Sequence, residues 1–356
     1  MSFDPPSPPP SNASSNRRNL TLFALLCVAA IAGVIAYARY SRDPAMPRHA
    51  SATPVVPEDG RQLADICRQP HLLFRNTALG PSYGRLAAVP LDAADGSRHV
   101  TPLLCDRVHG MGKSGICLQA SRGVITTYQC VSFDSSFQVL NTFKLAGIPS
   151  RTRVSRDGRM AGVTVFVTGD SYSAAGFSTR ATIFDLGSAN VVGDLEHFSV
   201  LKNGQPFKAA DFNFWGITFA NDSDRFYATL ATGGKIFLVE GRVSLRAMAV
   251  LKEGVECPSL SPVGTRLVFK SRTTVGGRLI WRLHVLDLNT QAEIVVNEPR
   301  SVDDQSEWLD EEQVLYTLPR GVNGDGSSDV WVARADGTGT PRAFVHDATS
   351  PCVIRP

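Results

Sequence analysis

At 356 residues the chain is long enough for one large domain or two ordinary ones, since single hydrophobic cores stop growing at about 250–300 residues. Lysine and arginine number 36 against 33 aspartate and glutamate residues, so the formal net charge is +3. This balance provides no broad basic surface, and we expect no binding to nucleic acid. The 18 phenylalanine, 30 glycine and 22 proline residues favour a body of strands and turns over a helical one.

The N-terminal region divides by composition into three segments. Residues 1–19 contain five prolines and five serines, which is typical of a disordered tail, and we expect this tail in the cytoplasm. Residues 20–38 carry no charge and would span about 28 Å as a helix, close to the roughly 30 Å hydrocarbon layer of a bilayer. This run predicts a transmembrane helix or signal anchor that contacts membrane lipid. Residues 39–64 are rich in proline, arginine and alanine and predict a linker.

The location of the remaining chain follows from the same run and from the cysteines. Arginines at 17–18 and small residues at 36–38 also flank a cleaved export signal, which is the alternative to a retained anchor. Six of the seven cysteines lie outside the run, and none has CxxC spacing. An even set in a β-rich domain after an export segment favours disulfides, with buried free thiols as the alternative. We therefore expect a single-pass protein of the cell membrane with its C-terminal domain outside the cytoplasm.

One disulfide follows from hairpin arithmetic. Directly opposite residues of an antiparallel pair have a constant sum of residue numbers, and a loop at residues 110–112 would place Cys105 opposite Cys117. Their Cα atoms would then be about 4.5 or 5.5 Å apart, within reach of a disulfide. A register slipped by one residue would leave both thiols reduced. The sequence does not determine the state of the other four cysteines beyond the apolar run: Cys67, Cys130, Cys257 and Cys352.

From residue 65 onward, short apolar stretches alternate with turn residues, which is typical of an all-β sandwich or propeller. A unit of strand, turn and strand recurs at intervals of 65, 41 and 48 residues, starting at Ser155, Ala220, Ser261 and Leu309. Each copy is followed by a second strand pair, and two weaker copies contain residues 86–103 and 126–145. Six units of this length predict a six-bladed β-propeller over residues 65–356, preceded by the single transmembrane helix.

Two details of the propeller can be predicted from the same repeats. Residues 350–356 have the pattern of a single strand, and the first unit is one strand short. We expect this C-terminal strand to close the ring beside residues 72–103, since closure removes exposed sheet edges. The longest interval predicts an insertion of about twenty residues, divided between 168–178 and 195–207.

Three segments resemble the repeats of TolB-like and WD-repeat-like β-propellers, in which a Ser-Pro-Asp-Gly turn precedes an apolar strand. They are the turn Ser155-Arg-Asp-Gly158, residues 258–270 and residues 281–288. The chain resembles membrane-anchored TolB-like proteins of actinomycete bacteria over about residues 70–356. This resemblance implies the propeller fold. The segment before the propeller is too short for the α/β domain of periplasmic TolB, and Val263 replaces the usual turn aspartate.

The sequence contains no recognised catalytic or cofactor motif. It has no Gly-x-Ser-x-Gly nucleophile elbow, and its seven histidines lack the spacings of metal sites. We therefore predict no catalytic residue, no cofactor and no metal. Trp215, Trp308 and Asp304 are the candidates for binding residues that face the central funnel, whereas Trp281 and Trp331 are predicted to pack between blades.

The predicted function is that of a non-catalytic scaffold outside the cytoplasm, which binds an unidentified protein or cell-envelope partner. One alternative is a calcium-dependent hydrolase or lactonase that uses the central channel, with Asp211, Asn213 and Asp304 as candidate ligands. Residues 323–329 alternate oxygen side chains as calcium loops do, but lack the glycine and glutamate of such loops. The other alternative is a sensor of a small molecule or glycan.

Overall fold

The computed structural model describes residues 13–40, 63–94, 96–167, 178–320 and 326–356, which belong to two compact units, Met1–Ser51 and Ala52–Pro356. The N-terminal unit contains helix α1 (Ala13–Tyr40). Among the described residues, no helix combines the length and the apolar character needed to cross a membrane. The span predicted at residues 20–38 is therefore not confirmed. The linker predicted at 39–64 falls mostly outside the described residues.

The C-terminal unit begins with a one-turn helix, α2 (Leu63–Ile66), and continues as strands. The first three are β1 (His71–Asn76), β2 (Arg85–Pro90) and β3 (His99–Leu104). The next blade consists of β4 (Arg107–Met111), β5 (Ser114–Ser121), β6 (Thr127–Asp134) and β7 (Val139–Leu145). The third consists of β8 (Ile148–Val154), β9 (Met160–Val167), β10 (Ser178–Asp185) and β11 (Asn190–Asp194).

Blade 4 has six strands. They are β12 (Ser199–Lys202), β13 (Gln205–Pro206), β14 (Asn213–Phe219), β15 (Arg225–Thr232), β16 (Lys235–Arg242) and β17 (Ala247–Glu253). Blade 5 consists of β18 (Glu256–Leu260), β19 (Arg266–Val275), β20 (Arg278–Asp287) and β21 (Glu293–Val295). Blade 6 consists of β22 (Glu307–Trp308), β23 (Gln313–Pro319), β24 (Ser328–Arg334) and β25 (Arg342–Val345), and the last strand is β26 (Ala348–Ile354). Short 3-10 helices lie at Leu91–Ala93 and Leu195–His197.

The described part of the chain forms six sheets, which confirms the predicted six-bladed propeller. The last strand, β26, pairs antiparallel with β1 and completes the first blade, with His71 opposite Ile354. The prediction that the C-terminal strand closes the ring is therefore confirmed. Because the two ends of the C-terminal unit share one blade, closure pairs the inner edge that β1 would otherwise expose.

The insertion predicted at residues 195–207 is confirmed as the source of the extra strands in blade 4. β12 and β13 form a small hairpin, and β12 pairs in parallel with β17 at the outer edge of the sheet. The other predicted insertion segment, 168–178, lies outside the described residues except for Ser178.

Each blade contributes strands A to D from the central axis outward, and β26, β4, β8, β14, β18 and β22 are the six A strands. A strands of neighbouring blades contact one another around the axis. Turns between strands A and B emerge on one side of the ring, the A–B face. Turns between strands B and C, together with the connections between blades, emerge on the other side, the B–C face. Large apolar side chains fill the space between blades, and several aromatic ones are fully buried: Phe74, Phe214, Phe226, Phe269 and Tyr316.

The structure contains the predicted Cys105–Cys117 disulfide, with the Cα atoms 5.4 Å apart. The predicted register is wrong, because β4 and β5 are joined by a two-residue turn that pairs Met111 with Ser114. Cys117 consequently faces Val108, and Cys105 lies in the connection between β3 and β4. The disulfide thus ties the connection between the first two blades to strand B of blade 2. The described free cysteines are Cys27, Cys67, Cys130, Cys257 and Cys352.

Candidate functional site

Buried ion pairs occupy the central axis. The A strands of blades 2 and 3 carry arginines, and residues 303–307 at the entrance to blade 6 carry acidic side chains. Arg107 Nη1 lies 3.5 Å from Asp304 Oδ1, and Arg153 Nη2 lies 3.3 Å from Glu307 Oε2. Arg151 contacts Asp303, to which the ammonium group of Lys270 is also bound. Because removing one partner of a buried pair leaves an uncompensated charge, the pairs of Asp304 and Glu307 fix the inner strands relative to one another. The Asp303 carboxylate is 58% exposed, so its contacts contribute less.

His109, Glu307 and Cys352 form a second buried cluster, with potential metal-ligand atoms within 4.8 Å of one another. His109 Nδ1 accepts a hydrogen bond from the Val154 amide at 3.0 Å, so the ring proton is on Nε2, which faces Glu307 Oε2 at 3.6 Å. The same glutamate oxygen contacts Arg153. Burial, reinforced by Arg153, lowers the pKa of His109, and burial raises the pKa of the Cys352 thiol. A neutral imidazole, a protonated thiol and an arginine-bound carboxylate fit a structural contact better than a metal site.

A cavity of about 470 Å³ opens on the B–C face where blades 1, 2, 3 and 6 meet. Its charged lining consists of Arg75 at the end of β1, Arg107 at the start of β4, Arg122 after β5, and Asp106. Tyr128 contributes an aromatic wall. The cavity lies directly above the buried axis, since Arg107 belongs to both.

Two of the three arginines of this cavity are poorly compensated. Asp106 Oδ2 already accepts a hydrogen bond from the Ala120 amide at 2.9 Å. The Arg75 guanidinium lies 4.7 Å from the centre of the Tyr83 ring, and its buried Nε has no hydrogen-bond partner among the described residues. Arg122 is exposed. Among the described residues, neither Arg75 nor Arg122 has an acidic partner within ion-pair distance.

Arg107 is the best anchored of the three. Burial lowers its pKa, and the neighbouring Arg151 and Arg75 lower it further, while Asp304 opposes them. The direction of this shift means that the protein environment disfavours more positive charge at this point.

Apolar side chains border the same cavity. Val124 and Ile125 form the tip of the β5–β6 turn and are 107% and 79% exposed, and Ile148 at the start of β8 is 54% exposed. Arg122 lines the cavity from one base of that turn, and Ile148 lines it directly. Contiguous exposed apolar groups next to a concave site are typical of an interaction surface.

On the A–B face, turns of neighbouring blades bind each other. Arg156 in blade 3 donates to the carbonyl of Pro262 at 2.8 Å and to Asn221 Oδ1 at 3.2 Å. The amide of Val263 donates to Glu311 Oε1 at 2.6 Å. These bonds connect the A–B turns of blades 3 to 6. The polar groups of those turns are therefore engaged in holding neighbouring blades together.

The three residues predicted to face the funnel differ in how far they are buried. Trp308 is only 3% exposed, and its Nε1 donates to the Ser259 carbonyl at 2.9 Å, so its prediction as an accessible binding residue is wrong. The two-residue strand β22 places its ring between blades 5 and 6, where Arg266 covers it. Asp304 reaches the axis but is buried against Arg107. Trp215 is partly buried on β14.

Trp281 and Trp331, predicted to be core residues, are both partly exposed. Trp281 Nε1 donates to Glu256 Oε1 at 3.1 Å, and Lys270 lies 5.0 Å from its ring centre. Trp331 packs against the cluster of buried residues in blades 5 and 6, under the guanidinium of Arg300.

The candidate calcium ligands are occupied by other contacts. Asp211 accepts hydrogen bonds from Thr232 and from the Gly233 amide, and Asn213 Oδ1 accepts from Thr179. Among the described residues, the His109–Glu307–Cys352 cluster is the one group of three or more acidic, histidine or cysteine side chains within metal-ligand distance. Three of the seven residues of the candidate loop at 323–329 lie outside the described residues. No contact of the described residues therefore favours the calcium-dependent alternative.

The sequence pattern alone does not single out the three arginines of the cavity. They lie 32 and 15 residues apart on strands or turns of two blades, and no linear motif connects them. One signal was present: each stands at the end of an apolar strand, where a charged side chain can reach the rim of the ring.

The sequence matches no protein-family model and no curated protein. The structure is similar to TolB from Acinetobacter baumannii, with 16% identity and a TM-score of 0.55, over 80% of this chain and 66% of that one. It is also similar to a chain of the nidogen/laminin complex, with 12% identity and a TM-score of 0.51, over 80% of this chain and 98% of that one. These likenesses show a TolB-like propeller fold. They do not test the resemblance to actinomycete proteins, which stays a prediction.

Proposed function

We propose that the protein is a non-catalytic binding module that holds a protein partner, such as a component of the cell envelope, on the B–C face of its propeller. The observation that carries this proposal is the basic cavity of the B–C face. Among the described residues, Arg75 and Arg122 of this cavity have no acidic partner within ion-pair distance, and exposed apolar groups lie at its edge. On the A–B face the turns of blades 3 to 6 are hydrogen-bonded to one another.

The chemistry of the B–C face suits protein recognition. Interfaces combine apolar anchors with a few charged groups that fix orientation, and arginine is enriched among their strongest contributors. Val124 and Ile125 supply the apolar part, and Arg122 stands beside them on the same turn. The nidogen/laminin complex shows that a protein with a similar propeller takes part in a protein complex, which supports the proposal at the level of the fold.

We also propose that the propeller lies outside the cytoplasm, held at a membrane by residues 20–38. The support comes from the uncharged apolar composition of that run and from the disulfide, since disulfides persist in oxidising compartments. Full-length protein should stay with membranes during carbonate extraction. Recovery of the protein in the soluble fraction, or of a form that starts near residue 39, would contradict the anchor.

The partner-binding face can be tested by site-specific photo-crosslinking in cells. A photoreactive phenylalanine analogue replaces Val124 on the B–C face in one variant and Val263 on the A–B face in the other. Both side chains are exposed, Val263 by 62%, so neither replacement should prevent folding. A discrete, reproducible adduct is expected from position 124 and not from position 263.

The crosslinking pair has clear unfavourable outcomes. Equal adducts from both positions would indicate non-specific crosslinking to nearby proteins. An adduct from position 263 alone would place the binding surface on the A–B face and contradict the proposal. Absence of any adduct from position 124, when the variant is present at the wild-type level, would also overturn the proposal.

A further inference from the structure

We infer that the cavity binds a carboxylate of an acidic peptide segment through Arg75, Arg107 and Arg122. The inference rests on the proposed function, because it names the part of the partner that the B–C face recognises.

The three arginines come from different elements and converge on one cavity. Arg75 comes from strand B of blade 1, Arg107 from strand A of blade 2, and Arg122 from the B–C turn of blade 2, yet all three line one cavity. A guanidinium group presents five N–H donors and no acceptor, and its planar fork matches the two oxygens of a carboxylate. Three such groups around one cavity provide donors on several sides.

Second, Arg75 and Arg122 have no acidic partner within ion-pair distance among the described residues. The acidic residue of the lining, Asp106, is bound to the Ala120 amide. Asp304 lies behind Arg107 at 3.5 Å and is itself buried. A bound carboxylate would supply the negative charge that the described residues do not provide to Arg75 and Arg122.

The third step is pre-organisation. Asp304 contacts Arg107 from the axis side, and the Tyr83 ring supports Arg75. Two of the three guanidinium groups are therefore held in place before a ligand arrives, which reduces the conformational entropy lost on binding. Arg122 is exposed and free to close over the ligand from the rim.

The surroundings select a peptide over other anions. The exposed side chains of Val124, Ile125 and Ile148 beside the arginines match large apolar residues that flank an acidic one. A net charge of +3 over the chain provides little long-range attraction for a polyphosphate such as nucleic acid. A cavity of about 470 Å³ accommodates one or two side chains of a segment that crosses the face.

The test measures binding of an end-capped, fluorescent tetraglutamate to the full-length protein, with the matching tetraglutamine and inorganic phosphate as comparison ligands. Tetraglutamate should bind and weaken as salt is added, and tetraglutamine should not bind. Arg122→Gln should weaken tetraglutamate binding about tenfold, as loss of one charge-assisted contact does. Arg278→Gln, which removes an exposed arginine from blade 5 on the same face, should leave binding unchanged.

Because Arg122 is exposed, its replacement should not affect folding, and Arg75→Gln provides a second variant whose thermal unfolding is checked beside it. Equal binding by tetraglutamine, equal loss in Arg278→Gln, or no loss in Arg122→Gln would overturn the inference. Tighter binding of phosphate than of tetraglutamate would overturn the choice of a peptide carboxylate. A crosslink at position 124 without tetraglutamate binding would refute this inference alone, whereas tetraglutamate binding without that crosslink would refute the proposed function alone.

Discussion

Replacing both Cys105 and Cys117 by alanine should lower the free energy of unfolding of the propeller by about 3 kcal/mol. The two residues are 12 positions apart, and closing a loop of this length removes chain entropy worth about 3 kcal/mol from the unfolded state. Both residues are buried, at 3% and 0% exposure, so loss of the sulfur atoms adds a smaller cost of its own. Cys130→Ala is the matched control, because Cys130 is a fully buried free thiol in the same blade.

The assay is guanidinium-induced unfolding of oxidised protein, combined with a count of thiols under denaturing conditions. Wild-type protein should show five reactive thiols when oxidised and seven after reduction, since two of its seven cysteines are paired. Reduction should lower the stability of wild-type protein but not of the double variant. The reasoning would be refuted if seven thiols reacted in oxidised protein, or if the double variant lost no more stability than Cys130→Ala.

Glu196→Gln should remove a pH dependence of stability. Burial raises the pKa of Glu196 to about 8, so its stabilising contribution is complete below the unfolded pKa near 4.5 and is lost as the pH rises to about 8. The free energy of unfolding of the variant, relative to that of wild type, should rise by about 2–4 kcal/mol between pH 5 and pH 9. If this difference between the two proteins did not change with pH, a buried acid at position 196 would be contradicted. Gly216→Ala should lower the free energy of unfolding by about 1–3 kcal/mol, because Gly216 has φ of +66° and an added Cβ would lie 2.7 Å from Cys257 Cα. An unchanged melting temperature would refute that reading.

The turn at Ser155–Gly158 illustrates why much of the fold could be predicted from the sequence. Asp157 Oδ1 accepts hydrogen bonds from the Ser155 hydroxyl at 2.6 Å and from the Arg159 amide at 3.0 Å, and Gly158 has φ of +73°. These interactions involve residues within four positions of one another, so they depend on local order alone. The repeat of such turns between apolar strands determined the number of blades and the strand left over for closure.

The cysteine hairpin marks the limit of that local reasoning. Two glycines, Gly110 and Gly112, permitted a three-residue loop, but the chain turns over residues 112–113 instead. The resulting register lets β4 pair with β5 while Cys352 of the closing strand accepts a hydrogen bond from the Gly110 amide. Gly110 and Cys352 are 242 positions apart in the chain, so this contact exists only in the closed ring. Residues of the hairpin alone therefore give no indication of it.

By itself the sequence determined the all-β class, the blade number and the closing strand, because each follows from side-chain alternation or turn residues. It predicted the Cys105–Cys117 pair from a hairpin register that the structure does not have. It did not determine the candidate site. Arg75 of blade 1 shares a cavity with Arg107 and Arg122 of blade 2 because the two blades pack side by side, and closure of the ring adds residues of blade 6 to the lining. Trp308 is buried, although its strand-end position resembles that of a funnel residue, because the short β22 turns it toward blade 5. Contacts between blades join residues that are far apart in the sequence, and they depend on how the ring closes. Only the tertiary structure therefore shows them.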